Sequence, residues 1–131
     1  GIGQFTRVGA AEVRRIADLP SWATRYTGES GLQQSLAVFD KDRDAAEPDK
    51  AIEAAALLLA YNIDKRGGNI EAGVTEYNAG GVPARLIESA GSHAAALPAI
   101  QALPANQRSQ ADTYAPNVLA RAEYWRGEGV A

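Results

Sequence analysis

The stretch Asp49–Lys65, DKAIEAAALLLAYNIDK, decides the fold class. Ile52, Ala56, Leu59 and Ile63 recur at helical spacing, and Ala55, Leu57 and Leu58 widen their stripe. A helix that is apolar nearly all round is central and buried. The spacing therefore predicts a core helix whose Ile52/Ala56/Leu59/Ile63 face is covered. Gly67-Gly68 ends it, because glycine takes the left-handed cap conformation without steric cost.

Downstream, Asn69 is placed to cap a helix over Ile70–Asn78, with Ile70, Val74 and Tyr77 on one face. Gly80-Gly81 ends that helix, and Pro83 fits the first turn of another running to Ala90. Gly91–Ala111 holds Pro98 and Pro104 among small residues and reads as a long surface connection with one helical turn at Ala99–Leu103. Pro116 opens a last helix, Ala115–Trp125, with Val118, Leu119, Ala122 and Trp125 available to the core. Gly127 and Gly129 mark a frayed tail.

Upstream, Val8–Asp18 reads as a helix with Val13, Ile16 and Ala17 on one face, stopped at Pro20. Trp22 sits in a short turn, and Gly28 breaks the chain. Ser30–Phe39 forms a second helix through Leu32, Leu36 and Phe39. Asp40–Asp49 is a charged surface loop.

With 131 residues, 46% of them hydrophobic and rich in alanine, the chain has enough apolar matter for one helical core. It contains no cysteine, which excludes thiol catalysis, disulfides and cysteine-based zinc sites. The net charge of -3 comes with scattered Lys and Arg, the opposite of a nucleic-acid-binding stripe. The longest apolar run, Ala54–Tyr61, is far short of the ~20 residues that span a bilayer. Asp40-Lys41-Asp42-Arg43-Asp44 fails as a calcium loop, because Ala45 and Ala51 stand where an EF-hand needs glycine and glutamate. His93, the one histidine, lies in a Gly/Ser/Ala segment without an acid beside it in sequence, which disfavours a triad or a metal site. No metal or cofactor is expected.

Three segments in chain order carry a resemblance. The first is Gly1-Ile2-Gly3-Gln4-Phe5. The second is Ile63-Asp64-Lys65-Arg66-Gly67-Gly68 followed by Glu76-Tyr77-Asn78-Ala79-Gly80-Gly81. The third is Thr113-Tyr114-Ala115-Pro116-Asn117-Val118-Leu119. Together they resemble signature motifs of the soluble lytic transglycosylases, enzymes that cleave bacterial cell-wall glycan. The likeness implies an all-α, single-domain, lysozyme-like fold over 1–131, part of a larger gene product. It implies a periplasmic or envelope location, or delivery as a virion component.

The implied reaction cuts the β-1,4 bond between N-acetylmuramic acid and N-acetylglucosamine and leaves a 1,6-anhydro sugar. Gln4, Tyr77, Asn78, Ala79 and Tyr114 are the implied substrate-binding residues, with peptidoglycan strands as the partner. The phenols and amides among them offer directional hydrogen bonds to sugars. Glu76 replaces a residue that is small in the family. It lies about 100° around the helix from Tyr77, which sends it to solvent or the groove rim.

The family's single catalytic glutamate precedes the Gln-bearing segment, so the likeness places it upstream of Gly1 and makes the chain N-terminally incomplete. An upstream segment or partner chain is then expected over the Ile52/Ala56/Leu59/Ile63 face. Glu29, in Glu29-Ser30-Gly31, is the internal candidate, although an acid there also suits a helix first turn. The alternative is a non-catalytic glycan-binding or structural module of a phage virion or cell-envelope machine.

Overall fold

The computed structural model describes residues 5–128, so Gln4 of the first motif and Gly129 of the tail lie outside the described residues. The described residues are helical, with no strand among them. In order they form α1 (Arg7–Asp18), α2 (Pro20–Ala23), a 3-10 turn (Thr24–Tyr26), α3 (Ser30–Ala37), α4 (Pro48–Lys65) and α5 (Ile70–Ala79). Then come α6 (Gly81–Ala90), α7 (His93–Gln101), α8 (Ala105–Arg108) and α9 (Tyr114–Gly127). The chain divides into two compact units, 1–61 and 62–131.

The first unit is built on α1. Thr6 caps it by accepting the Gly9 N–H, and its buried face is Ala10, Val13, Ile16 and Ala17. These pack with Trp22, Leu36, Phe39, Ala54 and Leu57 in one cluster. Pro20 stops α1 as expected and also opens α2, where its missing N–H is no loss. Two hydrogen bonds between residues distant in sequence tie α1 to α3 and its C-terminal end. Arg14 Nη1 donates to the Phe39 carbonyl at 2.7 Å, and Gln33 Nε2 to the Ala17 carbonyl at 2.9 Å.

The segment between α3 and α4 differs from the expected solvated loop. Asp44 is buried. It accepts from the Asp40 N–H at 2.9 Å, from Arg43 at 2.8 Å and from Lys50 at 3.3 Å. Asp40 in turn accepts the Asp42 and Arg43 N–H groups, a turn that folds the chain over its own carboxylates. The bond from Arg43 outweighs burial and holds the Asp44 carboxyl far below the usual range.

α4 corrects the predicted register. Its buried residues are Ala51, Ala54 and Leu57, whereas Ile52 is 48% exposed, Ala56 is exposed, and Leu59 and Ile63 are half-buried. The buried positions are two alanines and one leucine, so the face turned to the core is not the one with the most large side chains. Gly67 and Gly68 close the helix, the Gly68 N–H reaching back to the Ile63 carbonyl at 2.9 Å.

The second unit packs Ala72, Ile87, Ala96, Ile100 and Ala111 into its own cluster. Asn69 caps α5 as expected, accepting the Ala72 N–H at 3.0 Å. The expected surface connection at Gly91–Ala111 is instead two helices, α7 and α8. Ser92 caps α7 by accepting the Ala95 N–H. Pro98 is exposed within this short helix, while His93, Ala96 and Ile100 form its buried face. His93 is also better tied than its sequence context implies. Its N–H donates to Glu71 Oε1 at 3.0 Å, and its Nε2–H donates to the Ala111 carbonyl at 2.8 Å.

α9 departs from expectation too. Only Ala115 is buried on it; Val118 and Trp125 are exposed, as is Ala122, and Leu119 is half-buried.

One buried group in this unit is unsatisfied. Thr75 on α5 is fully buried, and its hydroxyl has no hydrogen-bond partner among the described residues. An orphaned buried hydroxyl costs about 1–3 kcal/mol. Thr75→Val keeps the β-branched shape and removes the polar atom, so it is expected to stabilise the protein by about 1 kcal/mol. Thermal denaturation checks this, and a lowered midpoint would mean that the hydroxyl is bonded.

Candidate functional site

The second and third sequence motifs meet at the end of α5. α5 packs against α6 and also against α9. Tyr77 lies in the last turns of α5, and Tyr114 is the first residue of α9. Both are half-buried. Burial pushes the Tyr77 phenol above its ordinary range, and the neighbouring Tyr114 phenol raises it further. The Tyr77 hydroxyl therefore remains a protonated donor at neutral pH, close enough to Tyr114 to feel its phenol.

Asn78 is exposed beside Tyr77, with its amide available to solvent. Ala79 is half-buried and packs against the Ala72/Ile87/Ala96/Ile100/Ala111 cluster, so it supports the corner rather than presenting a side chain. Gly80 then turns the chain at φ 86 and ψ -175, and α6 starts on the next residue. A side chain at Gly80 would be strained at this φ, which explains a glycine at the corner.

The following glycine has a different reason. A Cβ on Gly81 would lie 2.8 Å from Arg85 Nη1 and 3.4 Å from Arg66 Nη2. Two guanidinium groups thus cross the backbone immediately after the Tyr-Asn-Ala-Gly corner. Arginine there offers fixed, charge-assisted donors to a carboxylate.

Glu76 is not the rim or solvent residue that its angle from Tyr77 suggests. Its side chain is 12% exposed and accepts from Arg66 Nε at 2.8 Å and Lys65 Nζ at 2.7 Å. Arg66 also reaches Glu88 at 3.3 Å, so one guanidinium joins the end of α4 to α5 and α6. Burial pushes the Glu76 carboxyl up, but the bonds to Arg66 and Lys65 more than reverse this and hold it below its usual range. The carboxylate nearest Tyr77 in sequence is therefore ionised at neutral pH and has no proton to donate. Sequence alone offered one clue to this pairing: an acid where a small residue is usual, downstream of a Lys-Arg pair at the end of a long helix.

Glu29, the internal acid candidate, occupies the N-cap position of α3 in the first unit and is exposed, without a capping hydrogen bond from its side chain. It lacks the poorly solvated pocket that a proton-donating glutamate needs. No group of acidic or histidine side chains suited to a metal occurs among the described residues. No helix among them is long and apolar enough to cross a membrane. No protein family, curated protein sequence or solved structure matches the chain.

Proposed function

We propose that the chain is the glycan-binding part of a peptidoglycan lytic transglycosylase with a lysozyme-like fold. It acts on the β-1,4 bond between N-acetylmuramic acid and N-acetylglucosamine. The observation that carries this reading is the meeting of Tyr77 and Tyr114, from motifs far apart in sequence, beside exposed Asn78 and a sharp glycine corner. Two phenol donors, an amide and a bare backbone corner suit the hydroxyl and acetamido groups of amino sugars. Exposed Arg85, beside Gly81, suits the lactyl carboxylate of muramic acid.

In this reading a single glutamate does the acid–base work, in contrast to the two carboxylates of ordinary glycosidases. It gives its proton to the leaving glycosidic oxygen as the C1–O bond breaks. The carboxylate then takes the proton from the muramic acid 6-hydroxyl as that oxygen bonds to C1. No water is consumed, and the acid ends as it began. Neither ionised Glu76 nor exposed Glu29 suits the role, so the reading assigns it to a glutamate preceding Gly1, as in the family's order. The reading also expects an upstream segment or partner chain over the Ile52/Ala56/Leu59/Ile63 side of α4. An envelope location, or delivery on a virion, follows from the substrate.

A second reading is favoured by the state of those two glutamates, one ionised and one exposed: a module that binds glycan and does not cut it. One experiment separates the two. The protein with its preceding residues is incubated with purified peptidoglycan, and 1,6-anhydro-muropeptides are read by mass spectrometry. Turnover is expected, and Asn78→Ala or Tyr114→Phe should lower it about ten- to a hundredfold, the loss of a well-placed hydrogen bond. Glycan binding without anhydro products would favour the module. No binding at all would overturn both readings.

A further inference from the structure

The first unit holds a hollow of about 210 Å³ lined from α2, the 3-10 turn, α3 and α4. Its apolar wall is made by the buried Trp22, Leu36 and Leu57. At about 30 Å³ for each water in the liquid, the hollow has the volume of roughly seven waters. That is below the ~300–1,000 Å³ of drug-sized sites and on the scale of one amino-acid side chain.

Two exposed residues of opposite charge line the same hollow, Arg25 and Glu53. The Arg25 guanidinium carbon lies 3.9 Å from the centre of the Trp22 ring. Stacking occupies the flat face of a guanidinium and leaves its N–H donors pointing sideways. The Glu53 carboxylate has no ion pair or hydrogen bond among the described residues, so these two charges do not neutralise each other. A third polar group belongs to the lining residue Tyr26. Its hydroxyl is buried and has no hydrogen-bond partner among the described residues. Burial, and then the Glu53 charge, push the Tyr26 phenol above its ordinary range, so it is a neutral donor at neutral pH. Such an orphan costs stability until an acceptor reaches it.

We infer that this hollow binds a free α-amino acid with an apolar side chain, its ammonium on Glu53 and its carboxylate on Arg25 and the Tyr26 hydroxyl. The side chain fills the space against Trp22, Leu36 and Leu57. Charge complementarity selects this class of ligand. A zwitterion answers both charges at once, whereas an amine or an acid alone leaves one of them unanswered. The carboxylate is the acceptor that the Tyr26 hydroxyl lacks, and a hydrogen bond to a charged group is among the stronger ones. All the residues involved lie in the first unit, so the inference does not rest on the glycan reading.

The test uses tryptophan fluorescence of the full chain carrying Trp125→Phe. The chain has two tryptophans, so Trp22, in the wall of the hollow, is then the only reporter. L-Leucine and L-phenylalanine are expected to shift its emission with a dissociation constant on the order of a millimolar, and L-serine is not. Glu53→Gln should weaken L-phenylalanine about fivefold, the scale of an exposed ion pair. It should leave N-acetyl-L-phenylalanine, which lacks the ammonium, unchanged. Tyr26→Phe should weaken L-phenylalanine about tenfold or more and leave L-phenylalaninamide, which lacks the carboxylate, unchanged. The same Tyr26→Phe should raise the melting temperature of the unliganded protein, because it removes the orphaned hydroxyl. That combination of tighter fold and weaker binding is what a purely structural tyrosine would not give. The inference is overturned if neither apolar amino acid moves the Trp22 signal, or if both blocked analogues bind as well as L-phenylalanine. It is also overturned if Glu53→Gln and Tyr26→Phe leave L-phenylalanine binding intact.

Discussion

Gly73→Ala is expected to unfold the second unit or lower its melting temperature by more than ten degrees. Gly73 is in the second turn of α5, in contact with the end of α4. A Cβ there would lie 2.3 Å from Ile63 Cγ1 and 2.6 Å from both Ile63 Cα and Ile63 N. A flexible side chain could move aside, but two of these atoms are backbone. Alanine's better helix propensity returns only about 1 kcal/mol. Overpacking costs about 1–3 kcal/mol where side chains can adjust, and more where they cannot. Against a total of roughly 5–15 kcal/mol, that loss dominates. Tyr77 is one turn further along the same face, so any surviving fold should also disturb the candidate site. Ile63→Ala should fail to rescue the variant, because the backbone contacts remain. Circular dichroism and thermal melts of both variants decide the matter; a wild-type melt for Gly73→Ala would refute the close approach.

Arg66→Leu should produce the next largest effect. Arg66 and Glu76 are each 12% exposed, and removing one member of a buried pair costs about 3–5 kcal/mol. Lys65 stays on Glu76, and its partial exposure limits the loss to about 2–3 kcal/mol. The pH dependence identifies the cause. Glu76 has a lowered folded value, so its contribution is present above the ordinary carboxylate range and is lost as pH falls through that lowered value. In Arg66→Leu the carboxyl loses its strongest partner while burial still pushes it up. Its protonation then begins at higher pH, and the acid-unfolding midpoint should rise. Asp44 loses its stabilisation in acid in both proteins, which leaves the difference to Glu76. An unchanged acid midpoint would show that the pair contributes little.

Local signals with a single physical cause were legible in the sequence. Asn69 caps α5, Gly67-Gly68 closes α4, and Val13, Ile16 and Ala17 form the buried face of α1. In each case neighbouring residues suffice to set the outcome. The errors came where tertiary packing chose among locally equivalent options. On α4 periodicity found a helix, but apolar residues surround it, and the Ala51/Ala54/Leu57 face is the buried one. Pro98 read as a breaker, yet a capped nine-residue helix around a buried Ile100 tolerates it. Asp44 read as one charge among many, because its burial depends on Arg43 folding back and Lys50 reaching over. At the site, the expectation that Tyr77 and Tyr114 come together rested on the family resemblance; no periodicity or local signal carried it. The Arg66–Glu76–Glu88 bridge was not legible either, because ion pairs between helices leave no periodic trace.

The joint between α5 and α6 is one residue, Gly80. Two torsions of a single glycine thus fix the direction of ten further residues. Such a hinge has no slack. A residue inserted or deleted between Tyr77 and Gly81 would swing α6 off the core instead of making a longer loop. Length variation in proteins of this plan must therefore fall elsewhere, as in the turn between α8 and α9. An engineer wishing to re-aim the candidate site should alter the side chains that border the corner and leave its length alone.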